Sequence, residues 1–368
     1  MTRQHIWIVS PASARANNGN WQSASRWARF LRTRYRVTIS LNWPDADADM
    51  EADVEADADA RPPRDARHHT RSDAAPDLPS DLPPVLPAAP PPDLLIALHA
   101  RRSASSLDAW TQAWPQRPSI LLLTGTDLYR DIHTDASAQR SLEQATALVL
   151  LQPAGMDVLP APLHAKASVI FQSAATLRPA PPAARRHADI CMIGHLREEK
   201  DPRTFMRAAA QVTSPSARLV HIGGALEPAL ADAARATAAG VPRYLWLGAM
   251  PHAATRQRLK RSHAMALTSH MEGGANVIIE AVCAGVPVLA SDINGNRGML
   301  GDDYAGYFPS GDAAALARLI DRTIDDPAFH ALLRAQCDAR APLFAPAAER
   351  AALLELVDNL LKQTNQTN

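Results

Sequence analysis

The stretch Ser269-His-Met-Glu272-Gly-Gly-Ala-Asn-Val-Ile-Ile-Glu280-Ala-Val-Cys-Ala-Gly285-Val-Pro-Val-Leu-Ala290 decides the fold. An apolar run at 264–268 leads into it and reads as a buried strand; a glycine pair follows, and a helical pattern takes over from Asn276. Gly285-Val-Pro-Val then opens another apolar strand at 286–290. Strand, glycine turn, helix and strand make one βαβ unit of a parallel sheet. Gly273 and Gly274 carry no Cβ, so backbone can approach an anion closely. The free N–H groups and positive dipole at Ala275 and Asn276, where the helix starts, suit a phosphate. Glu280 lies about four residues into that helix, roughly 6 Å along the axis at about 1.5 Å per residue. That offset matches the distance from a nucleotide's diphosphate to its ribose hydroxyls. Glu272, ahead of the glycines, can accept hydrogen bonds from a sugar attached beyond the diphosphate. The plain alternative is two glutamates at arbitrary spacing, one solvated and one facing a helix; the accompanying glycines argue against it.

Upstream, Ile193-Gly-His-Leu-Arg197-Glu-Glu-Lys200-Asp-Pro202 repeats the arrangement. Asp201 suits an N-cap and Pro202 a first helical residue. The loop therefore presents Arg197 and Lys200 beside a second helix start, where cations can stabilise the charge on a departing diphosphate. Gly223 and Gly224, after an apolar strand, and the turn Leu247-Gly248-Ala-Met250 are further donor-side candidates, or plain turns. Strands fit 189–193, 219–222, 244–247, 264–268 and 286–290. Helices fit 202–211, 228–239, 253–261, 276–284, 313–324 and 347–362.

The first half has the same alternation, with strands at 6–9, 37–41, 94–98, 120–123, 147–151 and 168–171 and helices at 21–34 and 103–113. Three of its strand ends open into polar loops. One is Pro11-Ala-Ser-Ala-Arg15-Ala-Asn17-Asn18-Gly19-Asn20, the second His99-Ala-Arg101-Arg102-Ser103, the third Thr124-Gly125-Thr126-Asp127. Together they offer guanidinium groups, hydroxyls and amides for a small oxyanion. The Pro-rich run Arg178-Pro-Ala-Pro-Pro182 marks a boundary between the halves. Two doubly wound domains in tandem place ligands at the carboxyl ends of their strands.

Residues 44–92 do not fit the alternation. Acid–alanine repeats give way to Arg and His and then to proline, a composition that cannot bury enough surface to offset ordering entropy. The expectation is a disordered insertion, and its Asp-Ala-Asp triplets are repetition rather than a metal motif.

Composition bounds the function. The 368 residues suggest two ordinary domains, and 46% apolar residues suffice for two cores. Lys+Arg and Asp+Glu both number 38, which argues against a nucleic-acid protein and against attraction to anionic membranes. Cys191, Cys283 and Cys337 are odd in number and lack CxxC spacing, as expected of a reduced compartment without disulfides or zinc. No apolar run approaches the ~20 residues of a membrane span. The expectation is a soluble cytoplasmic protein.

The Glu272–Glu280 segment resembles the Glu-x7-Glu motif of the GT-B nucleotide-sugar glycosyltransferases, in particular the large family 4. The 193–202 loop resembles that family's Gly-Arg-Leu-x-x-x-Lys loop, with Lys200 at the Lys position and His195 where Arg is usual. The phrases SPASARANNGNWQSASRWARFLR, ALHARRSA, LTGTDLY, IGHLREEKDP, LTSHMEGGANVIIEAVCAGVPVLAS and GNRGMLGDDYAGYFPSGD are similar to the selenosugar synthases of selenoneine biosynthesis. The resemblance implies an α/β GT-B fold: two Rossmann-like doubly wound domains facing a cleft, with a C-terminal helix packing back toward the first. It implies an acceptor domain over 1–180, a UDP-sugar domain over 186–345, and a terminal helix and tail over 346–368.

It further implies that selenophosphate attacks the anomeric carbon of a UDP-sugar, UDP-N-acetylglucosamine being favoured. UDP and phosphate leave, with no metal or cofactor required and with other selenoneine-pathway enzymes as partners. Glu280 then holds ribose, Glu272 contacts the sugar, and Lys200 with His195 or Arg197 clamps the diphosphate. Asn18, Gly19, Asn20, His99, Arg101, Arg102, Thr124, Gly125 and Thr126 fall to the acceptor. The residues suit that chemistry. Selenium in selenophosphate is already anionic and soft, so the protein must supply positioning and charge compensation more than a general base. The alternatives are an ordinary family 4 transferase with a lipid, polysaccharide or small-molecule acceptor, a UDP-sugar 2-epimerase, and a non-catalytic sugar-nucleotide binder. The first would usually carry a basic, apolar surface helix, and none is read here.

Overall fold

The computed structural model describes residues 3–13, 19–44, 91–177 and 186–367. Most of the proposed insertion, the loop residues Arg15, Asn17 and Asn18, and the run 178–182 lie outside the described residues.

Each half forms a six-stranded, wholly parallel sheet. In the first half β1 is His5–Val9, β2 Arg36–Ser40, β3 Leu94–Leu98, β4 Ser119–Leu122, β5 Ala147–Leu150 and β6 Ala167–Val169, in the order β2-β1-β3-β4-β5-β6. In the second, β7 is Ala188–Ile193, β8 Ala217–Ile222, β9 Tyr244–Trp246, β10 Ala264–Leu267, β11 Val288–Ser291 and β12 Tyr307–Phe308, in the order β12-β11-β10-β7-β8-β9. β1, β3, β4 and β5 are buried along their whole length. That follows from helices covering both faces of a parallel sheet, and it is why these strands read as unbroken apolar runs.

The strand order reverses between β1 and β3 in one sheet and between β7 and β10 in the other. Such switch points splay the connecting loops apart and open a crevice at the carboxyl ends. The loops after β7 and β10 are the two that carry the strongest sequence motifs.

The last helix, Pro346–Thr367, crosses back to the first sheet as expected. Leu353, Leu354, Val357, Leu360 and Leu361 join the core formed by Trp27, Ile6, Ile96 and Leu122. Its anchor is Glu349, 1% exposed, which accepts from Arg26 Nε at 2.8 Å, Trp27 Nε1 at 2.8 Å and Ser173 Oγ at 2.5 Å. Among the described residues no helix is long and apolar enough to cross a membrane.

Among the elements that go beyond the sequence reading are three helices and a strand. Helix Ala136–Gln144 is capped by Asp135 and buries only a few small residues and Leu142, too little apolar surface to register. Helix Asn294–Leu300 begins Asn-Gly-Asn, which reads as a turn. Helix Pro327–Arg340 shows only Phe329, Leu333 and Cys337 to the core, and β12 has two residues.

Candidate active site

The loop after β7 is held from behind. His221, fully buried on β8, donates from Nε2 to the Gly194 carbonyl at 3.1 Å and accepts at Nδ1 from the Tyr244 hydroxyl at 3.0 Å. Burial lowers its pKa to about 4, so the ring is neutral. Gly223 presses against the same peptide: a Cβ there would lie 1.8 Å from the Gly194 oxygen. Trp246 Nε1 in turn donates to the Gly223 carbonyl at 2.9 Å. Asp201, at φ 40°, accepts from the Thr204 N–H at 3.2 Å and caps helix Pro202–Gln211, as its sequence predicts.

His221 makes stability depend on pH. Its folded pKa lies below the unfolded value of about 6.5, so the unfolded chain binds the extra proton, and stability falls as pH drops from about 6.5 toward 4. The expected loss is about 2 kcal/mol at pH 5. A His221→Gln variant should show a smaller drop in melting temperature between pH 7.5 and pH 5 than the unaltered protein. Equal drops would exclude His221 as the cause.

On that loop, His195 accepts at Nδ1 from the Gly224 N–H at 3.0 Å, which leaves Nε2–H as its donor. Burial, then the charges of Arg197 and Lys200, lower its pKa, so His195 offers a neutral donor rather than a second cation. Among the described residues no hydrogen-bond partner reaches the buried Arg197 Nε.

Lys200 meets Glu272 across the switch point. Lys200 Nζ donates to Glu272 Oε1, which also accepts from Ser269 Oγ at 2.6 Å. The side chains are 18% and 9% exposed. The glycines beside Glu272 also serve the contact between the two sheets. A Cβ on Gly273 would lie 2.3 Å from the Thr124 carbonyl oxygen, and one on Gly274 2.5 Å from the Leu151 side chain. The Glu272–Gly274 turn and the Thr124–Gly125 backbone therefore close on one another.

Ala275 is the residue ahead of helix Asn276–Cys283, and Asn276 Nδ2 lies against Gly19 of the first half, 3.6 Å from where a Cβ would sit. One turn on, Glu280 Oε1 accepts from His252 Nε2 at 2.6 Å. Both line a cleft of about 260 Å³ with Asn276, Arg26, Arg29 and Arg256. Arg26 and Arg29 project from helix Gly19–Leu31, and His252 and Arg256 from helix His252–Leu259. Sequence reading missed all four. A basic face on the helix leaving the Gly19 loop was the available signal for Arg26 and Arg29; nothing in the spacing pointed to His252. Gly248, at φ 68°, makes the turn before that helix and accepts from the Gly223 N–H at 2.8 Å.

In the first half, β3 and β4 are neighbours, so their loops meet. His99, at φ 75° and 2% exposed, pairs through Nε2 with Thr126 Oγ1 at 3.1 Å. Asp127, fully buried, accepts from the Ala100 N–H at 2.9 Å, the Thr124 N–H at 2.8 Å and Thr124 Oγ1 at 2.7 Å. The hydroxyls of Thr124 and Thr126 are thus used internally. Arg101 is engaged through one nitrogen, its Nε donating to Asp131 at 3.0 Å, beside Arg130, which also reaches Glu199 of the second half at 3.6 Å. Arg102 is exposed next to His99. Gly125 packs on Gly273, Asn20 is half-buried in helix Gly19–Leu31, and Asn18 lies outside the described residues. Among the described residues no group of His, Cys, Asp or Glu is arranged to hold a metal ion.

Residues 174–343, a little under half of the chain, match the family model of the glycosyl transferases group 1. Among solved structures the chain is similar to sucrose-phosphate synthase from Thermosynechococcus elongatus, at 17% identity and a TM-score of 0.69 over 98% of this chain and 100% of that one. It is similar to HepE from Anabaena in complex with UDP and glucose, at 16% identity and a TM-score of 0.70 over 97% and 100%. It is also similar to the pneumococcal O-GlcNAc transferase GtfA in complex with UDP and GlcNAc, at 15% identity and a TM-score of 0.59 over 73% and 57%. The chain therefore has the GT-B fold, and its second sheet and flanking helices match the group 1 glycosyl transferases.

Proposed function

We propose that the protein is a glycosyltransferase that uses a UDP-sugar, with UDP-N-acetylglucosamine favoured, and selenophosphate as acceptor. The observation that carries the transferase reading is the meeting of Lys200 with Glu272 at the switch point, one helix start away from Glu280 in the cleft. In this reading Lys200 and Arg197 take the leaving diphosphate, the neutral His195 adds an N–H, Glu272 takes the sugar and Glu280 the ribose. Selenium of selenophosphate attacks the anomeric carbon as the bond to UDP breaks, and water then releases phosphate from selenium. The selenophosphate assignment rests on the sequence phrases quoted above. The phosphate of selenophosphate then falls to Arg102, the terminal nitrogens of Arg101 that Asp131 leaves open, the Gly125 turn and the Gly19–Asn20 helix start.

Mass spectrometry of products from UDP-N-acetylglucosamine with selenophosphate, thiophosphate or phosphate tests the reading. UDP release that depends on selenophosphate, with the mass of a 1-seleno-sugar, is expected. UDP release without any acceptor points to an epimerase, and preferred transfer to an alcohol or lipid to an ordinary transferase.

Glu280→Ala should weaken UDP binding about 10- to 150-fold, the worth of hydrogen bonds to a charged acceptor of roughly 1.5–3 kcal/mol. Calorimetry showing unchanged affinity in a folded variant removes Glu280 from the site.

A further inference from the structure

We infer that His252 is a positioning residue that orients the Glu280 carboxylate for the ribose diol, and that this pairing sets the preference for a ribonucleotide. The inference rests on the reading of the cleft as a nucleotide site.

Glu280 accepts from His252 through Oε1, and among the described residues no hydrogen bond reaches its Oε2. A carboxylate accepts only, so His252 Nε2 must be the donor whatever the charge of the ring. One oxygen is thereby fixed and the other left open toward a cleft that both residues line. Among the described residues none of the guanidiniums that line the cleft, Arg26, Arg29 and Arg256, hydrogen-bonds Glu280. Arg256, one turn after His252, donates to the Ala175 carbonyl at 2.5 Å, and Arg26 is held by Glu349. His252 therefore sets the plane of the carboxylate. Stability does not account for the pair: the His252 side chain is 46% exposed, and exposed ion pairs contribute little to folding. A carboxylate whose plane is fixed can engage two adjacent hydroxyls together, whereas a freely rotating one loses orientational entropy in doing so.

The test compares UDP with 2′-deoxy-UDP by calorimetry on the full chain and on Glu280→Ala, His252→Ala and His252→Gln. The unaltered protein should prefer UDP by about tenfold or more, the worth of one hydrogen bond to a charged group. Glu280→Ala should erase the preference. His252→Ala should reduce it to a few-fold while the melting temperature stays unchanged, and His252→Gln, which keeps an N–H donor, should restore most of it. A His252→Ala variant that keeps the full preference while Glu280→Ala loses it overturns the role of His252 alone. If Glu280→Ala also keeps the preference, or the unaltered protein has none, the reading of the cleft as a ribose site fails with it.

Discussion

Lys200→Ala is expected to lower kcat by roughly 10²–10³, as does removal of a preorganised donor from developing negative charge, while the KM for the UDP-sugar changes far less. Leaving-group charge is greatest in the transition state, so a cation placed for it acts there more than in the ground state. The structure adds a second consequence. Lys200 neutralises Glu272, which is 7% exposed and whose side chain, among the described residues, is otherwise bonded only to the Ser269 hydroxyl. Removing one member of a buried pair leaves an uncompensated charge, costing about 3–5 kcal/mol at full burial and less here, where the lysine side chain is 18% exposed. Lys200→Ala should therefore also melt lower. The double variant Lys200→Ala/Glu272→Gln should regain much of that stability without regaining turnover, a non-additivity expected of contacting groups. A loss confined to KM, with kcat intact, contradicts the leaving-group role.

The same pair shows what a sequence can and cannot display. Both motifs were legible because each combines a strand end, a helix start and residues needed locally: Asp201 as cap, Pro202 as first helical residue, glycines where backbones touch. Their meeting was not legible, because it depends on β7 and β10 lying side by side, a property of strand order. The first-half loops show the same limit. Arg101 was read from its place after β3, but its partner Asp131 is set by a π-type turn, Asp127–Asp131, whose residues carry no periodic signal. The glycine pair was read for an anion, and in the structure its missing side chains also admit the Thr124 carbonyl and Leu151. Glu280 was read from helical spacing, whereas His252 reaches it through a turn and a separate helix. Local chemistry was visible; competition for it by residues far along the chain was not.

Gly223→Ala should disable the protein more thoroughly than its size suggests, and Gly224→Ala should not. At Gly223 a Cβ would lie 1.8 Å from the Gly194 oxygen, 2.4 Å from its carbonyl carbon and 2.9 Å from the His195 nitrogen. All three are backbone atoms, so no side chain can swing aside. The 194–200 loop must instead retreat by about 1 Å or more, and it carries His195, Arg197 and Lys200. A misplacement of about 1 Å at reacting groups costs on the order of 10²-fold in rate. Overpacking at such a point costs a further 1–3 kcal/mol or so in stability. The Gly194 carbonyl that must move is the one His221 Nε2 bonds at 3.1 Å, so that bond is disturbed with it. At Gly224 the nearest atoms are His195 Nδ1 at 3.3 Å and the Ala249 Cβ at 3.5 Å, contacts that a few tenths of an ångström relieve. Steady-state kinetics and melting curves on the two variants decide the matter. If Gly223→Ala turns over UDP-sugar as fast as Gly224→Ala, the 194–200 loop is not positioned by this contact, and its cations are not where the diphosphate leaves.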